Sequence, residues 1–293
     1  MRLTEERNPE SFDIDLLDTE QILLRINAQD QRVAPAVASV IPDIARAVDG
    51  ITSRLRSGGR LFYVGAGTSG RLGILDAVEC PPTYNTPPDV IQGILAGGYE
   101  ACYRSIEAAE DDPEAGERDL LRAGLKRGDA VVGIAASGRT PYTCGAVARA
   151  RREGAFTVGI SCNRNTPLSR EAEVAIEVET GPEIVTGSTR MKAGTAQKLI
   201  LNMISTTTMI RLGYVYSNLM INVHLKNSKL VERGIRIVQE ITGASREEAK
   251  SAIEESQDVK TAIVMVKENC SPDQARRILD QYETLREAFQ HLE

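Results

Sequence analysis

Between residues 60 and 179, five short apolar runs alternate with stretches of helical periodicity, and this alternation constrains the fold more than any other feature of the chain. The runs lie at 60–65, 90–96, 129–135, 155–161 and 174–179. Helical patterns fall between them near 69–78, 99–109, 114–124 and 142–153. Continuous apolar runs bounded by turn residues suit strands buried on both faces, and strands alternating with helices make βαβ units. An α/β fold with a parallel sheet flanked by helices is therefore predicted. Upstream, apolar residues recur at helical spacing through Ile22–Ile26 and again from Val37 to Leu55, so two leading helices are expected after a polar, mobile start.

Two of the strand-to-helix turns carry chemistry. The first follows Arg60-Leu61-Phe62-Tyr63-Val64 and reads Gly65-Ala66-Gly67-Thr68-Ser69-Gly70. Glycines there let the chain turn sharply, and Thr68 and Ser69 open a helix whose unpaired N–H groups and hydroxyls suit phosphate oxygens. Tight packing alone would produce the same turn, and it matches the dinucleotide fingerprint by pattern only. The second turn is an independent signal: Ala130–Ala135 leads into Ala136-Ser137-Gly138-Arg139-Thr140 and a helix-starting Pro141. Capping by Ser137 and Thr140 is the plain alternative, but an arginine between two hydroxyl residues adds charge that a cap does not need. Two such turns at the carboxyl ends of parallel strands converge on one crevice, where open α/β sheets bind ligands.

Carboxylates near these turns could transfer protons. Glu79 precedes Cys80-Pro81-Pro82, where proline is expected to end a helix and fix its position. Glu110 closes a helical stretch from Tyr99 on the side of Ile106, whereas Asp111 and Asp112 read as a solvated face. Two carboxylates beside one sugar phosphate can divide acid and base roles if their surroundings separate their pKa values.

The bulk numbers exclude other classes. A net charge of −6 over 293 residues, with basic residues scattered, argues against nucleic acid or an anionic membrane surface as a partner. No apolar run approaches a membrane span and no secretory segment opens the chain, so a cytoplasmic address is expected. Five widely spaced cysteines include no C-x-x-C pair, and only His224 and His291 are present, which favours a mechanism without metal. Beyond Thr186-Gly187-Ser188-Thr189 two long helices are expected, with Arg190 and Lys192 near the first cap. The last fifty residues read as a small three-helix appendage, giving an expected division into 1–240 and 241–293.

The strings GAGTSGRLGILDAVECPPTY (65–84), AGG (96–98), EAAEDD (107–112), VVGIAASGRTPY (131–142), TVGISCN (157–163) and EIVTGSTRMKAGTAQKLILNM (183–203) together resemble the N-acetylmuramic acid 6-phosphate etherase family of the sugar isomerase (SIS) superfamily. The resemblance spans nearly the whole chain, and ECPPTY and TGSTRMKAGTAQK are its most specific parts. It implies a flavodoxin-like SIS domain with a small helical carboxyl-terminal domain, acting as a homodimer without metal or nucleotide. The implied reaction releases D-lactate from N-acetylmuramic acid 6-phosphate during recycling of bacterial cell-wall sugar, with Glu79 as the acid that protonates lactate and Glu110 as the second acid/base group. It also implies Thr68, Ser69, Ser137 and Thr140 around the phosphate with backbone donors at Gly138 and Arg139, and Arg190 and Lys192 as candidates for the phosphate or the lactyl carboxylate. Asn85 departs from the pattern, standing where glycine is expected, and Ala135 stands where many SIS isomerases have serine. A sugar-phosphate sensor and an aldose–ketose isomerase are the competing readings of the same motifs.

Overall fold

A computed structural model describes residues 3–292. Five strands, β1 (Leu61–Gly65), β2 (Ile91–Leu95), β3 (Ala130–Ile134), β4 (Phe156–Ser161) and β5 (Val174–Glu177), form one parallel sheet in the order β2-β1-β3-β4-β5. All five coincide with the predicted apolar runs. Residues of β1, β3 and β4 are buried throughout, as central strands covered on both faces must be.

The helices up to residue 211 are α1 (Thr19–Asp30), α2 (Val33–Ala38), α3 (Ile41–Arg56), α4 (Gly67–Tyr84), α5 (Pro113–Arg122), α6 (Pro141–Arg152), α7 (Pro167–Glu171) and α8 (Lys192–Arg211). Helix α3 buries Ile44, Ala47, Val48, Ile51 and Leu55, one stripe of a 3.6-residue period. On one face of the sheet Tyr142, Ala146, Val147 and Ala150 of α6 join Leu120 of α5 and Leu168 of α7 over Phe62, Val64 and Val131. On the other, Gly50 of α3 lies against the Phe156 ring and Gly73 of α4 against Tyr63.

Several elements differ from expectation. The second leading helix is split into α2 and α3 around Ser39 and Val40, with Pro42 in the first turn of α3, where its missing N–H is harmless. The expected mobile start is pinned instead. Asn8 Nδ2 donates to Gln29 Oε1 (3.0 Å) and to the Pro182 carbonyl (3.2 Å), Ser11 Oγ donates to the Ile184 carbonyl (2.8 Å), and Thr4 Oγ1 accepts from Asn163 Nδ2 (3.1 Å). Helix α4 does not end before its prolines. It runs through Pro81 and Pro82 to Tyr84, so the carbonyls of Ala77 and Val78 lose their helical N–H donors.

The chain divides into two compact units: one comprises the chain up to Val78 with Pro88–Ser205, the other Glu79–Pro87 with the chain from Thr206 onward. The division expected after residue 240 falls inside α9 (Ser228–Thr242). The second unit also holds a two-residue hairpin, β6 (Val215–Tyr216) with β7 (Leu219–Met220), and α10 (Arg246–Ser256), α11 (Val259–Glu268) and α12 (Pro272–Leu279). A fourth helix, α13 (Leu285–Leu292), follows the three expected. Its own core gathers Ile235, Val238, Ile253, Ile263, Val264 and Phe289. Among the described residues no helix is long and apolar enough to cross a membrane.

One buried carboxylate ties the starts of the two central strands. Asp129, 2% exposed, accepts from Arg60 N (2.9 Å), Lys126 N (2.7 Å) and Arg60 Nη2 (2.8 Å). Asp129→Ala leaves these donors unsatisfied and is expected to cost about 3 kcal/mol of stability. Chemical denaturation followed by circular dichroism measures it, and a loss within error of zero would show that solvent replaces the carboxylate at no cost.

Candidate active site

The two hydroxyl-bearing turns stand side by side. Gly65 at the end of β1 pairs with Ile134 at the end of β3. From β1 the chain passes through α4 to β2 on one side, and from β3 through α6 to β4 on the other. The strand order reverses here, and this is the switch point at which doubly wound sheets bind ligands. Helix α4 starts hard against its strand because neither contact residue has a side chain: a Cβ on Gly70 would lie 2.5 Å from the Gly65 carbonyl oxygen. The N–H groups of the first turn of α4 thus sit at the strand end, where the helix dipole favours an anion.

The second turn is locked from behind. Gly138 has φ +65°, donates its N–H to the Ala135 carbonyl (2.9 Å) and accepts from Leu168 N (3.0 Å), with the Thr166 side chain packed against its Cα. Ser137 Oγ accepts from Arg139 N (3.2 Å). Thr140 is the N-cap of α6, yet its side chain makes no capping bond, so capping does not account for its hydroxyl. Arg139 is exposed.

A cavity of about 280 Å³ opens at the carboxyl ends of β1 and β2, lined by Gly67, Thr68, Arg71, Ser105, Ile106 and Glu110 among others. Thr68 and Glu110, far apart in sequence, therefore share one cavity. The stretch 99–110 is not the single helix expected. Gly97 and Gly98, both at positive φ, lead into two 3-10 turns, Tyr99–Cys102 and Glu107–Glu110. Glu110 closes the second. Asp112 beyond it is a cap: it accepts from Ala115 N (3.0 Å) and pairs with Arg118 (2.9 Å), and these bonds hold its carboxyl below the usual range.

Arg71 was not among the expected site residues. Its Nε donates to the Ala101 carbonyl (2.8 Å) and its Nη2 to the Arg104 carbonyl (3.0 Å), fastening the loop that leads to Glu110. The signal was present in sequence, since Arg71 lies four residues after Gly67 and three after Thr68 and so shares their helix face.

Ser69 and Lys192 are placed less openly than expected. Ser69 is 8% exposed and its Oγ donates to Gln197 Oε1 (2.9 Å) on α8. Lys192 is 3% exposed, and its Nζ donates to Gln29 Oε1 (2.8 Å) within the network that holds the amino-terminal segment. Its amine is thus tied to the amino-terminal segment. The start of α8 is capped by a side chain, with Glu183 Oε2 accepting from Lys192 N (3.0 Å) and Oε1 from Ala193 N (2.9 Å). Burial pushes the Glu183 carboxyl up, opposed by those two N–H groups, and burial pushes the Lys192 amine down. Arg190 remains exposed in the preceding turn.

Glu79 belongs to the second unit, exposed on the last turns of α4. That helix end is anchored there by Asn222 Nδ2 donating to the Tyr84 carbonyl (2.7 Å) and by the Tyr84 ring meeting Tyr214 edge-on at 6.4 Å. Asn85 has φ +57°. It occupies the left-handed region as the expected glycine would, since asparagine is among the few side-chain-bearing residues that tolerate it.

Comparison with known proteins agrees with this architecture. The chain matches the N-terminal SIS domain of glucokinase regulatory protein over residues 43–151, the SIS domain over 110–206 and the C-terminal lid domain of glucokinase regulatory protein over 217–257. It is 49% identical over 291 residues to the N-acetylmuramic acid 6-phosphate etherase of Salmonella agona (strain SL483), covering 99% of this chain and 98% of that one. The figures for the etherase of Salmonella typhi are the same. Among solved structures, a phosphoheptose isomerase from Neisseria gonorrhoeae is similar in fold with a TM-score of 0.52 at 14% identity, covering 65% of this chain and 98% of that one. One from Francisella tularensis gives 0.51 at 16%, covering 66% and 98%.

The Glu183 cap makes a prediction with a definite sign. A carboxyl raised by burial contributes stability that is lost as pH rises through its raised value, and Glu183→Gln removes that titration. The stability of the wild type relative to Glu183→Gln is expected to decline as pH climbs from 4.5 toward neutrality, by about 1.4 kcal/mol for each unit by which the carboxyl is raised. Denaturation midpoints across that range measure it. A difference that grows with pH would mean the two N–H donors outweigh burial.

Proposed function

The chain belongs to the N-acetylmuramic acid 6-phosphate etherase family, and from that premise we propose that it releases D-lactate from N-acetylmuramic acid 6-phosphate, leaving N-acetylglucosamine 6-phosphate, in the recycling of cell-wall sugar. The observation that carries this reading is the pairing of two hydroxyl-rich turns at the β1/β3 switch point, with Glu110 lining the cavity that opens beside the first.

The chemistry follows from the substrate. Opening of the pyranose exposes an aldehyde at C1, which acidifies the C2 proton. A carboxylate removes that proton, the C3–O bond breaks with its electrons leaving on lactate, and a carboxyl group protonates the departing oxygen. Water then adds across the C2–C3 double bond, its oxygen to C3 and a proton to C2. We assign Glu79 as the acid toward lactate and Glu110 as the second acid/base group. The phosphate is held by the hydroxyls of Thr68, Ser69, Ser137 and Thr140 with N–H groups of Gly138 and Arg139, and Arg190 serves the phosphate or the lactyl carboxylate. Preset neutral donors stabilise the anion with little reorganisation. A homodimer in the cytoplasm is part of this reading, its assembly open to light scattering.

Incubation with N-acetylmuramic acid 6-phosphate in heavy water tests the reaction. The expected outcome is D-lactate and deuterium at C2 of the product, whereas a ketose phosphate without lactate would establish isomerisation. Glu79→Ala is expected to keep C2 exchange while lactate release falls about a hundredfold or more, and Glu110→Ala to lose both. Loss of exchange in Glu79→Ala would reverse the two roles.

A further inference from the structure

The amide of Gln197, which meets Ser69 of the first hydroxyl turn, is incompletely bonded among the described residues. Gln197 is 0% exposed on α8, its Oε1 accepts from Ser69 Oγ at 2.9 Å, and its Nε2 has no hydrogen-bond partner among the described residues. A buried amide NH₂ without an acceptor is costly. Ser69 also has only one hydroxyl proton. With Oε1 facing it, that proton is committed to Gln197, and the serine presents only lone pairs to the first turn of α4. Lone pairs repel a phosphate oxygen.

Rotating the amide half a turn gives Nε2 an acceptor in Ser69 Oγ and frees the serine proton, while Oε1 moves to the place where Nε2 has no partner among the described residues. Amide oxygen and nitrogen are nearly the same size, so the rotated group fills the same space. Nε2–H then donates to Ser69 Oγ, and the serine proton is left for an oxygen of the ligand. We infer that Gln197 is a positioning residue that sets the hydrogen-bond polarity of Ser69, donating to its oxygen so that the hydroxyl acts as a donor toward phosphate. This rests on the reading above, in which Ser69 meets the phosphate of the substrate.

Gln197→Glu tests it, because a carboxylate only accepts and holds the serine proton in place. With N-acetylmuramic acid 6-phosphate as substrate and D-lactate as the readout, Gln197→Glu is expected to raise KM about tenfold or more, the change falling on KM and not on kcat. Ser69→Ala is expected to raise KM comparably. The double variant is expected to be no worse than either single one, since Gln197 acts only through Ser69. Gln197→Glu with KM unchanged, or a double variant whose KM ratio is the product of the single ratios, overturns the inference. Should Gln197→Glu fail to give a cooperative melt, Gln197→Met takes its place in the cycle. Its KM rise is expected to vanish in the Ser69→Ala background, and its persistence there overturns the inference equally. A wild-type protein that releases no D-lactate sinks the parent reading and this inference together, whereas an active wild type with an additive cycle sinks the inference alone.

Discussion

The approach of Gly70 to the carbonyl of Gly65 is the contact on which the site depends. Any side chain at either position would force α4 away from the end of β1, since the nearest backbone atoms already lie within 3 Å of where a Cβ would go. Held this close, the first turn of α4 delivers its N–H groups and the hydroxyls of Thr68 and Ser69 to the strand end. The neighbouring strand end does the same through a different device. Gly138 turns back at positive φ, and α7 closes behind it through Thr166 and Leu168. The sheet supplies the remainder, because the reversal of strand order between β1 and β3 keeps either connecting helix from covering the crevice.

Helix α8 has a different relation to anions. Its amino terminus also carries a positive dipole end, but Glu183 occupies it, taking the first two N–H groups with both carboxylate oxygens. A helix start already neutralised by a buried protein carboxylate has little left for a ligand. The Lys192 amine, turned toward Gln29, is consistent with this: the residues at the start of α8 serve to fasten the amino-terminal segment, through Gln29 to Asn8 and Glu10. What α8 contributes toward the crevice comes more than a turn later, at Gln197.

The strands and both hydroxyl turns were legible in the sequence because local pattern specifies them. Apolar runs bounded by glycine and hydroxyl residues have few other structures open to them. The stretch 99–110 misled because its apolar residues resemble a helical face. In the structure Tyr99 and Tyr103 are 84% and 64% exposed, and among the side chains described in this stretch Ala101 alone is buried, so they form no stripe to hold a helix against the sheet. Pro81 and Pro82 misled in the opposite sense. Proline ends a helix when nothing compensates, but here the helix end is held by Asn222 and Tyr214, contacts more than a hundred residues away. Lys192 was illegible for the same reason: its partner Gln29 is 163 positions distant, and exposure is not a property of local sequence.

The proposed grip on the phosphate bears on the acid/base chemistry. Lysines or arginines clustered at the switch point would bind a dianion strongly, but they would also hold a nearby carboxylate below its ordinary range and weaken it as a base. Hydroxyls and N–H groups supply donors without net charge, so an anion can be bound with less depression of a neighbouring glutamate. Arg71 is the guanidinium that lines the cavity with Glu110, and two of its donors are turned onto the carbonyls of Ala101 and Arg104. Its charge is thereby directed partly into loop structure. The same residue fixes the backbone that carries Glu110, so the loop is ordered by a cation whose field is shared with two peptide dipoles. A chain of net charge −6 can accommodate an anionic sugar on these terms, through oriented neutral donors at the strand ends and not through an excess of basic residues.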